Sequence, residues 1–337
     1  MGTIRQISFL YDVNLDTALD LGKFSLYPYR LIRQEIDLDI RTHLDTLFQH
    51  FRNSQNNPLE RITLICPRSN FKLEPLSNSD TERMRSEIGA VFISSLIRNS
   101  AMDSVTSENF EIITHDVTPP IKTFTTIDGS YVSIKRICDL KDTGIRLPRY
   151  FCEPLLPLHP EIDLLTGCIA CFDLNPALGS RIAQAIRWVS YSYTNVNSFP
   201  YHNRILQLMI AFEILADNSR GFTQDTFAEW LDQTWEIDST KKYKNNAVWA
   251  KDKELHGAVG WWGIEYYQMR NRIIHDANPN ALVFHDSLGR EYFGTGILVF
   301  LECLRALLQR EKLITPSGNE NFFRHIILRP TTHEKEL

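Results

Sequence analysis

The sequence is poor in most of the features that mark specialised classes of protein. Glycine and proline number fifteen each among 337 residues, which excludes collagen-like repeats and a low-complexity chain. Neither sign of charge dominates. Lys and Arg total 36 against 41 Asp and Glu, a net charge of −5, so there is no broad positive field for coating DNA. Long apolar runs are missing too. The most apolar stretch, Gly294 to Leu308, carries Glu302 and Arg305 and is shorter than the ~20 residues a membrane span requires, so a buried helix is expected there. Near the N-terminus the apolar run is broken by Tyr11 and Asp12 before a signal-peptide core forms, and a cytoplasmic protein with no membrane partner is expected.

Cysteine is equally scarce. The six cysteines (Cys66, Cys138, Cys152, Cys168, Cys171 and Cys303) sit mostly in apolar surroundings, as reduced core cysteines do. Cys168 and Cys171 form a CxxC, but no second pair and no nearby histidine pair completes a zinc-ligand spacing, and the residues between them, Ile169 and Ala170, are apolar. A core role is expected for both. With no phosphate-binding glycine loop and no ligand cluster, neither a metal nor a cofactor is expected.

What the chain does have is apolar residues in patterns, 43% of the total, and length enough for two domains. The expected fold class is α+β, a mixed N-terminal domain over residues 1–147 followed by an all-helical C-terminal bundle. In KTFTTIDGSYVSIKRI, Asp128-Gly129 separates two alternating β-branched runs, the signature of a type I′ hairpin with strands near 121–127 and 130–137. Arg61 to Cys66 reads as a strand, and Ser79 with Glu82 as a capping box opening a helix through Met84, Ile88, Val91 and Phe92. Pro148, Pro154, Pro157 and Pro160 follow within a short span, so 148–174 is expected to be a connector that runs extended.

From Asn175 the apolar period becomes 3.6. Asn175-Pro176 supplies an N-cap and an N1 proline, and Leu178, Ile182, Ala185, Ile186, Val189 and Tyr193 form one stripe. Further helices are expected over Tyr201 to Asp217, over Gln224 to Trp235 behind Thr223, over Leu255 to Asn278 and over Glu291 to Glu311, a bundle spanning 175–315 with a tail at 316–337. Between the third and fourth lies KKYKNNAVWAKDK, with Lys241, Lys242, Lys244, Lys251 and Lys253. In the fourth, Leu255, Val259, Trp262, Tyr266, Met269 and Ile273 make the core stripe, with Gln268, Asn271, His275 and Asn278 opposite. Gly257, Gly260 and Gly263 weaken its first turns or admit another backbone.

That helix ends in RNRIIHD, Arg270 to Asp276. The segment resembles the R-N-x-x-x-H signature of the HEPN superfamily, helical-bundle proteins that include many prokaryotic ribonucleases of defence and toxin systems. RILQLMIAFEILAD at 204–217, with its aromatic-Glu pair Phe212-Glu213 after a hydrophobic run, is similar to an earlier helix of the same family. The resemblance covers about residues 175–312. It implies a homodimer in which two copies of the motif share one cleft, acting on RNA, with a separate antitoxin or regulator as a possible partner. The alternative within the same fold is a HEPN-like module that binds a nucleotide or a protein without catalysis.

Side-chain chemistry agrees with the first implication. Cleaving RNA without a metal requires a group to take the 2′-OH proton, one to protonate the leaving 5′-oxygen, and positive charge beside the phosphorane. His275 can act as base or acid, and Arg270 can hold phosphate oxygens through its planar fork. Asn271, one turn before His275, can orient the imidazole or the phosphate. Glu213 is a candidate to pair with Arg270 or tune His275. Nearly all of the acid excess lies in residues 151–337, so RNA phosphates are expected to meet Lys241, Lys242, Lys244, Lys251 and Lys253.

Overall fold

A computed structural model describes residues 6–11, 13, 15–52, 61–68, 76–96, 110–116, 123–127, 130–134, 145–146, 158–193, 201–235, 256–275, 285–286 and 289–315. The fold is α+β, in two compact units: Met1–Ile169 with Tyr193–Ser198, and Ala170–Ser192 with Phe199–Leu337.

The first unit is built on a seven-stranded antiparallel sheet. Its strands are β1 (Gln6–Tyr11), β2 (Leu19–Asp20), β3 (Phe24–Pro28), β5 (Ile62–Pro67), β6 (Ile112–Asp116), β7 (Thr123–Ile127) and β8 (Ser130–Ile134), in the order β2-β3-β5-β1-β6-β7-β8. β4 (Phe51–Arg52) and β9 (Ile145–Arg146) form a separate parallel pair. Alternation along β1 and β5 sends Ile7, Phe9, Ile62, Leu64 and Cys66 to one face. There they join Tyr29 and Ile32 of the short helix α1 (Tyr29–Ile32) and Leu44, Leu47 and Phe48 of α2 (Leu38–His50) in one core. Leu10 and Ile65, on the other face, are buried as well. The hairpin of β7 and β8 forms as expected, with Ile127 opposite Ser130; its turn, Asp128-Gly129, lies outside the described residues.

Helix α3 (Asn78–Ser95) begins two residues earlier than the expected capping box. Its N-cap is Ser77, whose hydroxyl accepts from Asp80 N at 3.1 Å, and Ser79 bonds to Ser77 Oγ at 2.9 Å. Either serine satisfies the sequence rule, and the one with extended backbone takes the cap. Further along α3 the fully buried Glu87 carboxylate accepts from Lys23 N (2.8 Å), Phe24 N (3.1 Å) and Arg83 Nε (2.5 Å). Burying a carboxylate is tolerated only with such saturation, and it ties the β2–β3 turn to the helix.

The segment expected to run extended contains α4 (Ile162–Leu174). The prolines stop at Pro160, and beyond it Leu164, Leu165, Cys168 and Cys171 recur at helical spacing and are buried. That apolar stripe outweighs the bias of the preceding prolines. Both cysteines of the CxxC are free thiols. Burial, with a contribution from Glu311, pushes the Cys171 thiol up to about 11.

The second unit contains α5 (Pro176–Ser192), α6 (Tyr201–Leu215), α7 (Gln224–Thr234), α8 (Ala258–His275) and α9 (Tyr292–Arg310). Asn175 caps α5 as its sequence predicts, Oδ1 accepting from Leu178 N at 3.3 Å. The core gathers around Phe212 of α6. Its ring lies 5.3 Å from Phe227, 5.5 Å from Phe300, and 6.2 Å from both Trp230 and Tyr266, edge-on contacts that favour aromatic pairs beyond their buried area. Among the described residues α9 alone is long and apolar enough to span a membrane, and its apolar window is 72% buried inside the fold.

Candidate functional site

The motif helix α8 is held against α7 by its own glycines. A Cβ on Gly260 would stand 2.6 Å from Asp232 Oδ2, and one on Gly263 2.6 Å from Leu231 Cδ1. Both are closer than real Cβ contacts come, so a side chain at either position would have to displace Asp232 or Leu231. Asp232 uses the proximity. Its carboxylate accepts from Gly257 N (3.0 Å) and Gly260 N (3.1 Å), and Oδ2 lies 3.1 Å from His256 Nδ1. The free N–H groups of the first turn are thus satisfied by an acid from a neighbouring helix.

The core stripe follows the sequence pattern: Val259, Trp262, Tyr266 and Met269 are buried, Ile273 is half-buried, and Leu255 lies outside the described residues. Tyr266 donates to Ile205 O at 3.1 Å, fixing α8 to α6. The opposite strip is less uniform than its polarity suggests. Gln268 is half-buried because its Nε2 donates to Gln224 Oε1 (3.1 Å) in the first turn of α7, so the strip reaches the surface only toward its C-terminal end.

At that end the motif residues are on the last turns of α8. His275 is exposed, Arg270 and Asn271 are half-buried, and Ile274 keeps 47% of its surface in solvent. Arg270 Nη1 donates to Asn271 Oδ1 at 3.0 Å. The same guanidinium lies over the ring of Tyr267, its carbon 5.6 Å from the centroid. The Asn271 amide therefore orients the arginine, and no hydrogen bond joins it to His275 among the described residues. At ~100° per residue the five-residue separation sets Arg270 and His275 about 140° apart around the helix, so only the length of the arginine side chain brings both to one substrate. Asn278 and the lysines Lys241, Lys242, Lys244, Lys251 and Lys253 lie outside the described residues.

Glu213, in the last turn of α6, does not meet Arg270. Its Oε1 accepts from Phe222 N at 3.5 Å, beside Gly221, whose φ of +75° needs a residue without a Cβ. Phe222 precedes the N-cap Thr223 and packs on Phe227 (5.0 Å) and Trp230 (5.7 Å), a hydrophobic staple that fixes the entry into α7. Its carbonyl oxygen accepts the Tyr267 hydroxyl at 2.7 Å.

Two groups in this region escaped the sequence reading. Tyr267 has no part in the signature, yet its place one turn before Arg270 is a usable signal. The pairing of His256 with Asp232 left no trace in sequence, because 24 positions separate them. Among the described residues no group of three or more His, Cys, Asp or Glu could hold a metal ion. In comparisons with known proteins the chain matches no family model, no curated protein and no solved structure.

Proposed function

We propose that the helical unit is a HEPN-like endoribonuclease that cleaves RNA by attack of the 2′-OH on the adjacent phosphate. The observation that carries this reading is the state of Arg270: a half-buried guanidinium held by a ring and an amide, with no carboxylate partner among the described residues. An arginine immobilised without being neutralised keeps its remaining donors for an anion. His275 stands exposed about one turn and a half further on, with imidazole nitrogens that can take or give a proton.

In the reaction a base takes the 2′-OH proton, O2′ bonds to phosphorus, and the P–O5′ bond breaks as an acid protonates O5′. The products are a 2′,3′-cyclic phosphate and a 5′-OH end. Arg270 stabilises the charge on the phosphorane. One histidine per motif supplies one of the two proton transfers, so the reaction is assigned to a homodimer in which each chain contributes His275. The exposed Ile274 beside it is an apolar anchor suited to that interface. A role as a toxin or anti-phage effector in the cytoplasm, restrained by a separate antitoxin or regulator, fits such an activity.

The test is direct. Full-length protein is incubated with single-stranded RNA and with tRNA in EDTA, beside Arg270→Ala and His275→Ala. Cleavage to cyclic-phosphate ends by wild type, reduced by about 10²-fold or more in each variant, is expected. Cleavage that persists in both variants overturns the proposal, and RNA binding with no cleavage favours the non-catalytic binding module.

A further inference from the structure

We propose that Tyr267 is a positioning residue for Arg270, in the contact chain Phe222, Tyr267, Arg270. The inference rests on the ribonuclease reading for its consequence in catalysis, but its geometry stands independently.

The chain begins at a rigid point. Phe222 is 8% exposed, its ring is stapled to Phe227 and Trp230, and the next residue, Thr223, is locked in a reciprocal capping box with Thr226. Its amide is turned toward Glu213 at 3.5 Å, the long limit of a hydrogen bond. A carbonyl so placed cannot follow a mobile donor. The Tyr267 hydroxyl, at 2.7 Å from it, is therefore the group that is fixed, and the adjacent bond from Gln268 to Gln224 keeps the two helices from sliding.

Fixing the hydroxyl fixes the plane of the ring, since the phenol has only two rotatable bonds before its oxygen. Arg270 lies over that plane and donates sideways to Asn271. One contact limits the height of the guanidinium and the other its rotation. A free arginine samples many rotamers and must give them up when a phosphate arrives; this one has surrendered them on folding. A hydroxyl bonded to a main-chain carbonyl is shared with the core residue Tyr266; what sets Tyr267 apart is that its face is presented to the motif cation.

The experiment uses full-length protein carrying Tyr267→Phe, Tyr267→Leu, Arg270→Ala and the Tyr267→Leu/Arg270→Ala double variant, each checked for unchanged cooperative unfolding. Two readouts are taken: RNA cleavage, and the order of the Arg270 guanidinium from 15N relaxation of its Nε–H. Tyr267→Leu is expected to loosen the guanidinium and lower kcat by roughly tenfold, more than it changes KM, with Tyr267→Phe in between because the ring remains without its anchor. In the Arg270→Ala background Tyr267→Leu should have no further effect on cleavage. An undiminished loss in that background, or a guanidinium as ordered in Tyr267→Leu as in wild type, overturns the inference and leaves the ribonuclease reading standing. If wild type does not cleave RNA, the ribonuclease reading fails, and the relaxation measurement still decides whether Tyr267 positions Arg270.

Discussion

Asp232 Oδ1 accepts from Gly260 N at 3.1 Å, so the N-terminus of the motif helix is capped by a side chain of α7, 28 residues earlier in the chain. Asp232→Ala is expected to cost about 1–2 kcal/mol, the range for losing a cap and its favourable charge at a helix N-terminus. Gly260→Ala should destabilise as well, since its methyl would stand 2.6 Å from the same carboxylate. Urea unfolding of the two variants checks both. Wild-type midpoints for either would show that α8 does not depend on this contact.

Acid stability has an identifiable local source in the first unit. Hydrogen bonds from Arg33, at 2.6 and 2.9 Å, hold the Asp45 carboxyl below its ordinary value of 3.8 against the opposing effect of burial, and Tyr29 adds a bond at 2.8 Å. A carboxyl whose pKa falls on folding contributes stability that is present above its unfolded value and lost as pH drops through the folded one. Asp45→Asn should therefore be less stable than wild type at pH 7, by about 1 kcal/mol. The gap should close below the ordinary value of 3.8. A gap that stays constant from pH 7 to pH 3 would contradict this assignment.

The proposed dimer can be tested by a surface substitution. Ile274→Lys replaces a side chain 47% exposed, so the fold of each chain should tolerate it within about 0.5 kcal/mol. Wild type is expected at twice the 39.1 kDa of the chain by light scattering, and Ile274→Lys at the single mass with cleavage lost. A variant that remains dimeric and active removes Ile274 from the interface.

The thiols should be inert in the native state. Burial pushes Cys66 up to about 12 and Cys171 up to about 11, and the thiolate is the reactive form. Cys66, Cys168, Cys171 and Cys303 are all buried. At pH 8 iodoacetamide is expected to spare these four until denaturant is added, as read by mass spectrometry of the digested protein. Rapid native labelling of the Cys168–Cys171 pair would contradict this.

RNA affinity should depend steeply on salt. If all of Lys241, Lys242, Lys244, Lys251 and Lys253 meet phosphates of a single strand, replacing them with alanine should flatten the slope of log affinity against log salt by ~3.5. An unchanged slope would remove those lysines from the RNA path.

Several elements of this protein are written locally. The hairpin of β7 and β8 follows from two β-branched runs around Asp128-Gly129, the start of α5 from Asn175-Pro176, and the buried faces of α5, α6 and α8 from a 3.6-residue period. Each depends on interactions within a few positions of the chain, which is why composition and spacing suffice. The segment 162–174 is helical against the bias of the prolines before it because of the apolar stripe within it, and the cap of α3 falls on Ser77 and not on Ser79, two serines of equal propensity either side of Asn78.

The site divides along the same line. Sequence by itself determined that Arg270, Asn271 and His275 lie together at the end of one helix, because their spacing is a property of the α-helix alone. Tertiary structure decided what each of them touches. Glu213 stands at the α6–α7 loop instead of beside Arg270, Tyr267 lies under the Arg270 guanidinium, and Asp232 caps a helix whose first turns its glycines had weakened. These contacts join residues up to 45 positions apart, from Phe222 to Tyr267. They exist only once Phe212 has drawn the helices into one core, since hydrophobic burial is non-directional and sets distances between elements that no local pattern encodes.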